Sequence, residues 1–153
     1  AGLKALSAVV EKTIGKDISQ IPGAGAAGAM GAGMVAFFGS ELQMGIQTVL
    51  DTVKFDDILS EDAYVFTGEG KLDSQSLRGK VVIGIAGRTK QYNVPLIAIV
   101  GGAEDAEIDK AYEMGVTAAF SINRLPQDFS ISSKRSKENL SYTMDNILRL
   151  LKI

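Results

Sequence analysis

The chain has 153 residues, 46% hydrophobic and 22% charged, which suits one domain of ordinary size or a piece of a larger protein with a real core. Lys and Arg total 16 against 18 Asp and Glu, a net charge of −2, so the excess of cations that a nucleic-acid partner requires is missing. With no Cys, no His and no Trp, the chain excludes disulfides, thiolate or imidazole metal sites and an internal Ser-His-Asp triad. Carboxylates, Lys, Arg, hydroxyls and backbone N–H groups remain, a set suited to a hard cation such as Mg²⁺ and to the charge of phosphates.

Ala1 to Leu6 lacks the basic start and apolar stretch of a signal peptide. Leu3, Leu6, Val10 and Ile14 recur at helical spacing, with Gly15 as a natural stop. That pattern has no capping residue and no initiator Met before it, and the expectation is a chain that starts inside a longer protein. Pro22-Gly23-Ala24-Gly25 reads as a loop, followed by a Gly/Ala-rich helix to about Phe38. Ile21 to Ser40 is uncharged, but its Gly and Ala content falls short of the about 20 predominantly apolar residues of a membrane span. A soluble, cytoplasmic protein with no membrane partner is expected.

Gly45 to Lys54 places Ile46, Val49, Leu50 and Val53 on one helical face, and Asp56 to Ser60 reads as a short helical turn. From Asp62 the rhythm changes. Ala63 to Thr67 is a short apolar run ended by Gly68, a buried strand; Val81 to Tyr92 is a helix; Pro95 to Val100 is a second strand, ended by Gly101-Gly102. Ala106 to Met114 is a helix closed by Gly115, Thr117 to Ile122 a third strand, and Ser133 to Leu151 a closing amphipathic helix. The fold class is α/β: a parallel sheet of about three strands with flanking helices, preceded by a helical Gly/Ala-rich segment. So thin a sheet leaves both edges open unless other chain segments or a partner subunit, such as a homo-oligomer, cover them.

Ligands of open α/β sheets bind outside the carboxyl ends of the strands. Two loops lie there. In Thr67-Gly68-Glu69-Gly70-Lys71-Leu72-Asp73, the glycines Gly68 and Gly70 are expected to permit unusual backbone angles around Glu69. Glu69 and Asp73 put two carboxylates within four residues, able to share Mg²⁺ or to orient a substrate hydroxyl. Lys71, Arg78 and Lys80 add cations, and Asp73-Ser74-Gln75-Ser76 offers caps for a following helix whose N-terminus would face an anion. A solvated strand-to-helix turn uses the same residues. The second loop, Val100-Gly101-Gly102-Ala103, is followed by Glu104 and Asp105, and either closes over a ligand or simply turns into a helix.

Gly23-Ala24-Gly25-Ala26-Ala27-Gly28 is formally G-x-G-x-x-G, but the dinucleotide fingerprint must follow a strand, and Lys16 to Ile21 is polar and short. No P-loop pattern occurs. Gly23, Gly25 and Gly28 either let the helix pack closely or offer loop N–H groups to an anion. Lys134, Arg135 and Lys137 read as the solvated start of the last helix.

Taken together, Pro22 to Gly28, Thr67-Gly68-Glu69-Gly70-Lys71-Leu72-Asp73-Ser74-Gln75-Ser76 and Gly79-Lys80 resemble the C-terminal part of the bacterial type 1 glycerate kinases, over essentially the whole chain. The resemblance implies ATP- and Mg²⁺-dependent phosphorylation of glycerate in a cleft between an α/β domain, formed by both ends of the chain, and a domain inserted into it. Residues 1–60 would then be the tail of the inserted domain, and residues 61–153 the returning Rossmann-like part of the main one. For such a transfer, chemical type assigns the chemistry to Asp73, Glu69 and Lys71, with Glu69 and Asp73 holding the metal, and these roles could be exchanged among them. Gly23, Gly25, Gly28, Gly68, Gly70, Ser74, Gln75, Ser76, Arg78, Lys80, Gly101 and Gly102 would bind substrate and phosphate. The family's N-terminal Asp-Ser-Phe-Lys segment has no counterpart here, so the remainder of a longer chain is the expected partner and this chain alone is expected to be inactive. The alternative is a non-catalytic α/β module that binds an anionic metabolite or joins subunits.

Overall fold

The computed structural model describes residues 2–60 and 63–152, and only the backbone of Arg78. Asp62, where the sequence rhythm changes, and the expected boundary at 60/61 fall at or beside residues outside that set. The chain divides into two compact units, Ala1–Met44 and Gly45–Ile153.

In the first unit, α1 (Gly2–Ile14) ends where Gly15 takes φ of +70° and donates its N–H to the Glu11 carbonyl at 2.9 Å. Helix α2 (Ala26–Phe38) differs from the plain helix expected. Ala27, Gly28 and Ala29 have φ of 49°, 69° and 72°, so a left-handed turn precedes the regular helix. Val10 packs with Ile18, Ala24, Ala32 and Ala36 to form the core of this unit. Close packing of α2 rests on Gly31, where an added Cβ would lie 3.0 Å from the Gly23 carbonyl oxygen.

The second unit starts with α3 (Gly45–Thr52) and a short 3₁₀ turn at Phe55–Ile58. Both are tied to α4 (Val81–Gln91) through Arg88, which donates to Gln47 Oε1 at 3.0 Å, to Asp56 Oδ2 at 2.7 Å and to Asp51. Gly84 on α4 meets Ile46 so closely that a Cβ there would lie 2.5 Å from Ile46 Cγ2.

Strands β1 (Val65–Glu69), β2 (Leu96–Val100) and β3 (Ala118–Ser121) form a parallel sheet in the order β1-β2-β3. Val65 is opposite Leu96, Glu69 opposite Val100 and Ile97 opposite Ala118. Every residue of β2 is buried, and its period of two splits the core. Leu96, Ala98 and Val100 pack with Val82, Ala86 and Ala111, which lie on α4 and α5 (Asp105–Glu113). Ile97 and Ile99 pack with Ile147 on the last helix, α7 (Ser136–Leu151). The closing helix expected over Ser133 to Leu151 is a 3₁₀ turn at Ser133–Arg135 followed by α7, and a short helix, α6 (Phe129–Ser132), precedes it.

Two local expectations are corrected near the site. Asp73 to Ser76 does not open a long helix: a 3₁₀ turn, Ser76–Arg78, is stopped by Gly79 at φ of +80°, and α4 starts only at Val81. Gly68 and Gly70 do not take left-handed angles. Gly68 is small because β2 is close, since a Cβ would sit 2.6 Å from the Ile99 carbonyl oxygen, while at Gly70 it would meet nothing within 4 Å.

Candidate active site at the strand ends

The carboxyl ends of β1, β2 and β3 open onto a cavity of about 930 Å³. Gly68, Glu69, Gly70, Lys71, Gly101 and Gly102 line its strand-end wall, and Asn123 comes from the loop after β3. An apolar wall is formed by Phe66, Ile99, Phe129, Leu140 and Met144, and Ser132, Ser133 and Ser136 also line the cavity.

Glu69 ends β1 because the strand carries two residues further than the apolar run Ala63 to Thr67 indicates, still in register with Val100. Its Oε1 is buried and has no hydrogen-bond partner among the described residues. A buried carboxylate oxygen left bare is costly, so this atom marks a place for a cation or a donor group. No group of three or more Asp or Glu converges among the described residues, so a metal here would have Glu69 and groups from elsewhere as ligands.

Lys71 donates to Glu104 Oε1 at 2.6 Å, across the gap between the β1 and β2 loops. The hydrogen bond and charge of Glu104 raise the Lys71 ammonium above the ordinary lysine range. Backbone ties fasten the same two loops: Leu72 N–H donates to the Gly102 carbonyl at 2.9 Å and Glu104 N–H to the Leu72 carbonyl at 3.1 Å.

Asp73 does not line the cavity. Its Oδ1 accepts the backbone N–H groups of Gln75 at 2.9 Å and Ser76 at 3.3 Å. Those two bonds, the Gln75 one first, hold its carboxyl below the usual carboxylate range against partial desolvation, with Lys80 and Lys71 adding attraction. Ser76 is buried, and its Oγ donates to the Lys71 carbonyl at 3.1 Å. Gln75 and Ser74 are exposed, and Lys80 Nζ donates to Gln75 Oε1 at 3.1 Å. Arg78 lies in the 3₁₀ turn. Gly23, Gly25 and Gly28 belong to the first unit, around its left-handed turn.

Glu104, Asn123 and the apolar wall were not singled out as site residues in the sequence. The rule that ligands sit at strand ends reaches Asn123 once the loop after β3 is included.

The sequence profile of the glycerate kinase family matches residues 1–152. The chain belongs to the glycerate kinase family. It is 38% identical over 151 residues to a glycerate kinase of Bacillus cereus, covering 99% of this chain and 39% of that protein. To the glycerate 2-kinase of Escherichia coli it is 41% identical over 114 residues, covering 74% of this chain and 30% of that one. A crystal structure of a protein assigned as glycerate kinase 2 in Salmonella typhimurium LT2 superposes with a TM-score of 0.68 at 35% identity, over 98% of this chain and 38% of the other. The chain thus matches between three tenths and two fifths of the length of these relatives. The α/β fold with its three-stranded parallel sheet agrees with that structure. Among the described residues, no helix is long and apolar enough to cross a membrane.

Proposed function

We propose that this chain is the C-terminal part of a cytoplasmic glycerate kinase, and that the strand-end cavity is its share of a cleft where ATP phosphorylates a hydroxyl of glycerate. The observation that carries the reading is the bare, buried Glu69 Oε1 beside Lys71, at the place where open α/β sheets receive ligands. The names of the relatives support the reaction class.

Phosphoryl transfer proceeds through a loose transition state, so positioning and charge stabilisation supply most of the catalysis. Glu69 would hold Mg²⁺ or a substrate hydroxyl, and Asp73, which stands beside the cavity with Oδ1 on two backbone N–H groups, would reach the reacting hydroxyl through its other oxygen and take its proton as the γ-phosphoryl group passes to oxygen and ADP leaves. The bare Glu69 oxygen fits a hard cation, which when bound would neutralise phosphate charge. Lys71, Arg78 and Lys80 would neutralise the glycerate carboxylate or the transferring phosphoryl group. Ser74, Gln75 and Ser76 would shape the loop that carries them, with Gly101 and Gly102 forming the floor. Gly23, Gly25 and Gly28 would offer N–H groups to an anion.

The remainder of a longer chain would complete the cleft. Residues 1–60 would be the tail of a domain inserted into the α/β one, which residues 61–153 help to form. The assay is ADP formation by the full-length protein with and without glycerate and Mg²⁺. Turnover that needs both is expected. No ADP formation would replace the kinase with the non-catalytic module, and ADP formation that ignores glycerate would overturn glycerate as the acceptor.

A further inference from the structure

Three strand ends meet at one residue, Gly101, and the end of β3 reaches it through its carbonyl oxygen. Asn123 Nδ2 donates to it at 2.5 Å and Ser121 Oγ at 3.3 Å, while the Asn123 backbone N–H donates to Ser121 Oγ at 3.1 Å. A carbonyl can only accept, so it fixes the Asn123 amide with nitrogen inward. On its other side Gly101 is fastened to the β1 loop. Its N–H donates to the Glu69 carbonyl at 3.2 Å, and its Cα approaches Gly70 so closely that an added Cβ would lie 2.5 Å from the Gly70 carbonyl oxygen.

Ser121 and Asn123 are both exposed. An exposed side chain gives up rotamer freedom for little net hydrogen-bond energy, so these two contribute little to the core. What they hold is a peptide wedged against the backbone of Glu69 and Gly70.

We infer that Asn123, assisted by Ser121, is a positioning residue for the strand-end site. By clasping the Gly101 carbonyl it sets the backbone at Glu69 and Gly70, and so the direction in which the Glu69 carboxylate and Lys71 face the cavity. This deepens the function proposed above and rests on it. Asn123 acts through Gly101 and transfers no proton or phosphoryl group itself.

The test uses the full-length protein with Asn123→Asp, which keeps the shape but sets a carboxylate against the carbonyl, and with Asn123→Ala. Hydrogen exchange is followed by mass spectrometry, and steady-state kinetics and the melting temperature are measured alongside. In both variants, peptides covering 66–73 and 99–103 should exchange faster while those of α5 and α7 keep their rates. The kcat should fall about tenfold, since reacting groups misplaced by a fraction of an ångström lose near-attack geometry. The KM for glycerate and for ATP should stay within about twofold, the split expected when only transition-state stabilisation is lost. Unchanged exchange at 66–73 overturns the inference, as does a kcat that falls only as far as the folded fraction does. If the wild-type protein shows no turnover, the proposed function falls, yet the exchange comparison still decides whether Asn123 sets the loop. If Asn123→Asp does not fold, Asn123→Ala carries the same comparison.

Discussion

Lys71 and Glu104 form an ion pair at 2.6 Å between the first residues beyond β1 and the residue before α5. The carboxylate therefore competes with any anionic substrate for the ammonium. In the full-length protein, Glu104→Gln should lower the KM for glycerate and Lys71→Met should raise it. Because Glu104 raises the Lys71 ammonium above the ordinary range, the pair is complete below the usual lysine value and is lost as pH rises from there through the raised one. A ¹³C titration should place Lys71 above the exposed lysines in the wild type and return it to the ordinary range in Glu104→Gln.

Asp73 separates a structural role from a chemical one. Asn accepts the Gln75 and Ser76 N–H groups as Asp does, whereas Ala does not. Asp73→Ala should lower the melting temperature and Asp73→Asn should nearly preserve it. If Asp73 takes the hydroxyl proton, Asp73→Asn should still reduce kcat about 100-fold or more. The lowered carboxyl makes its contribution to stability complete above the ordinary aspartate range and lost as pH falls through its folded value. The acid limb of unfolding should therefore be less steep in Asp73→Asn.

Two neighbouring glycines should respond differently. At Gly101 a Cβ would lie 2.5 Å from the backbone oxygen of Gly70, which cannot yield without moving the site. Gly101→Ala should cost about 1–3 kcal/mol, as overpacking does. Gly70→Ala meets nothing within 4 Å and should stay within about 0.5 kcal/mol. Chemical denaturation of both variants decides this.

Ala29 carries a side chain at φ of 72°, where L residues are strained by about 1–2 kcal/mol. Ala29→Gly removes that strain and adds freedom to the unfolded chain, and should stabilise the protein by about 0.5–1 kcal/mol. Thermal unfolding reads the shift directly.

The sheet was legible because β2 is a five-residue apolar run between Pro95 and Gly101, and the helices because Gly15 and Gly115 stop them. The length of β1 was not. Gly68 and Glu69 look like loop residues, yet they stay in the strand because parallel pairing to Ile99 and Val100 outweighs local preference. Glu69 and Lys71 are singled out in the sequence by residue type and position, and both line the cavity. Its apolar wall was hidden because Phe129, Leu140 and Met144 lie 60 or more residues from Phe66 and line the same cavity only through the tertiary fold. Asn123 was missed because a lone polar residue after a strand carries no motif.

The most direct test of the account is the kcat of full-length Glu69→Gln against wild type, with saturating ATP, glycerate and Mg²⁺. The change removes the charge of the carboxylate and leaves its size. A fall of about 100-fold or more with an unchanged melting temperature is predicted, the scale of losing a charge-stabilising group at the reacting centre. A rate within about twofold of wild type would contradict the placement of the reaction at the end of β1.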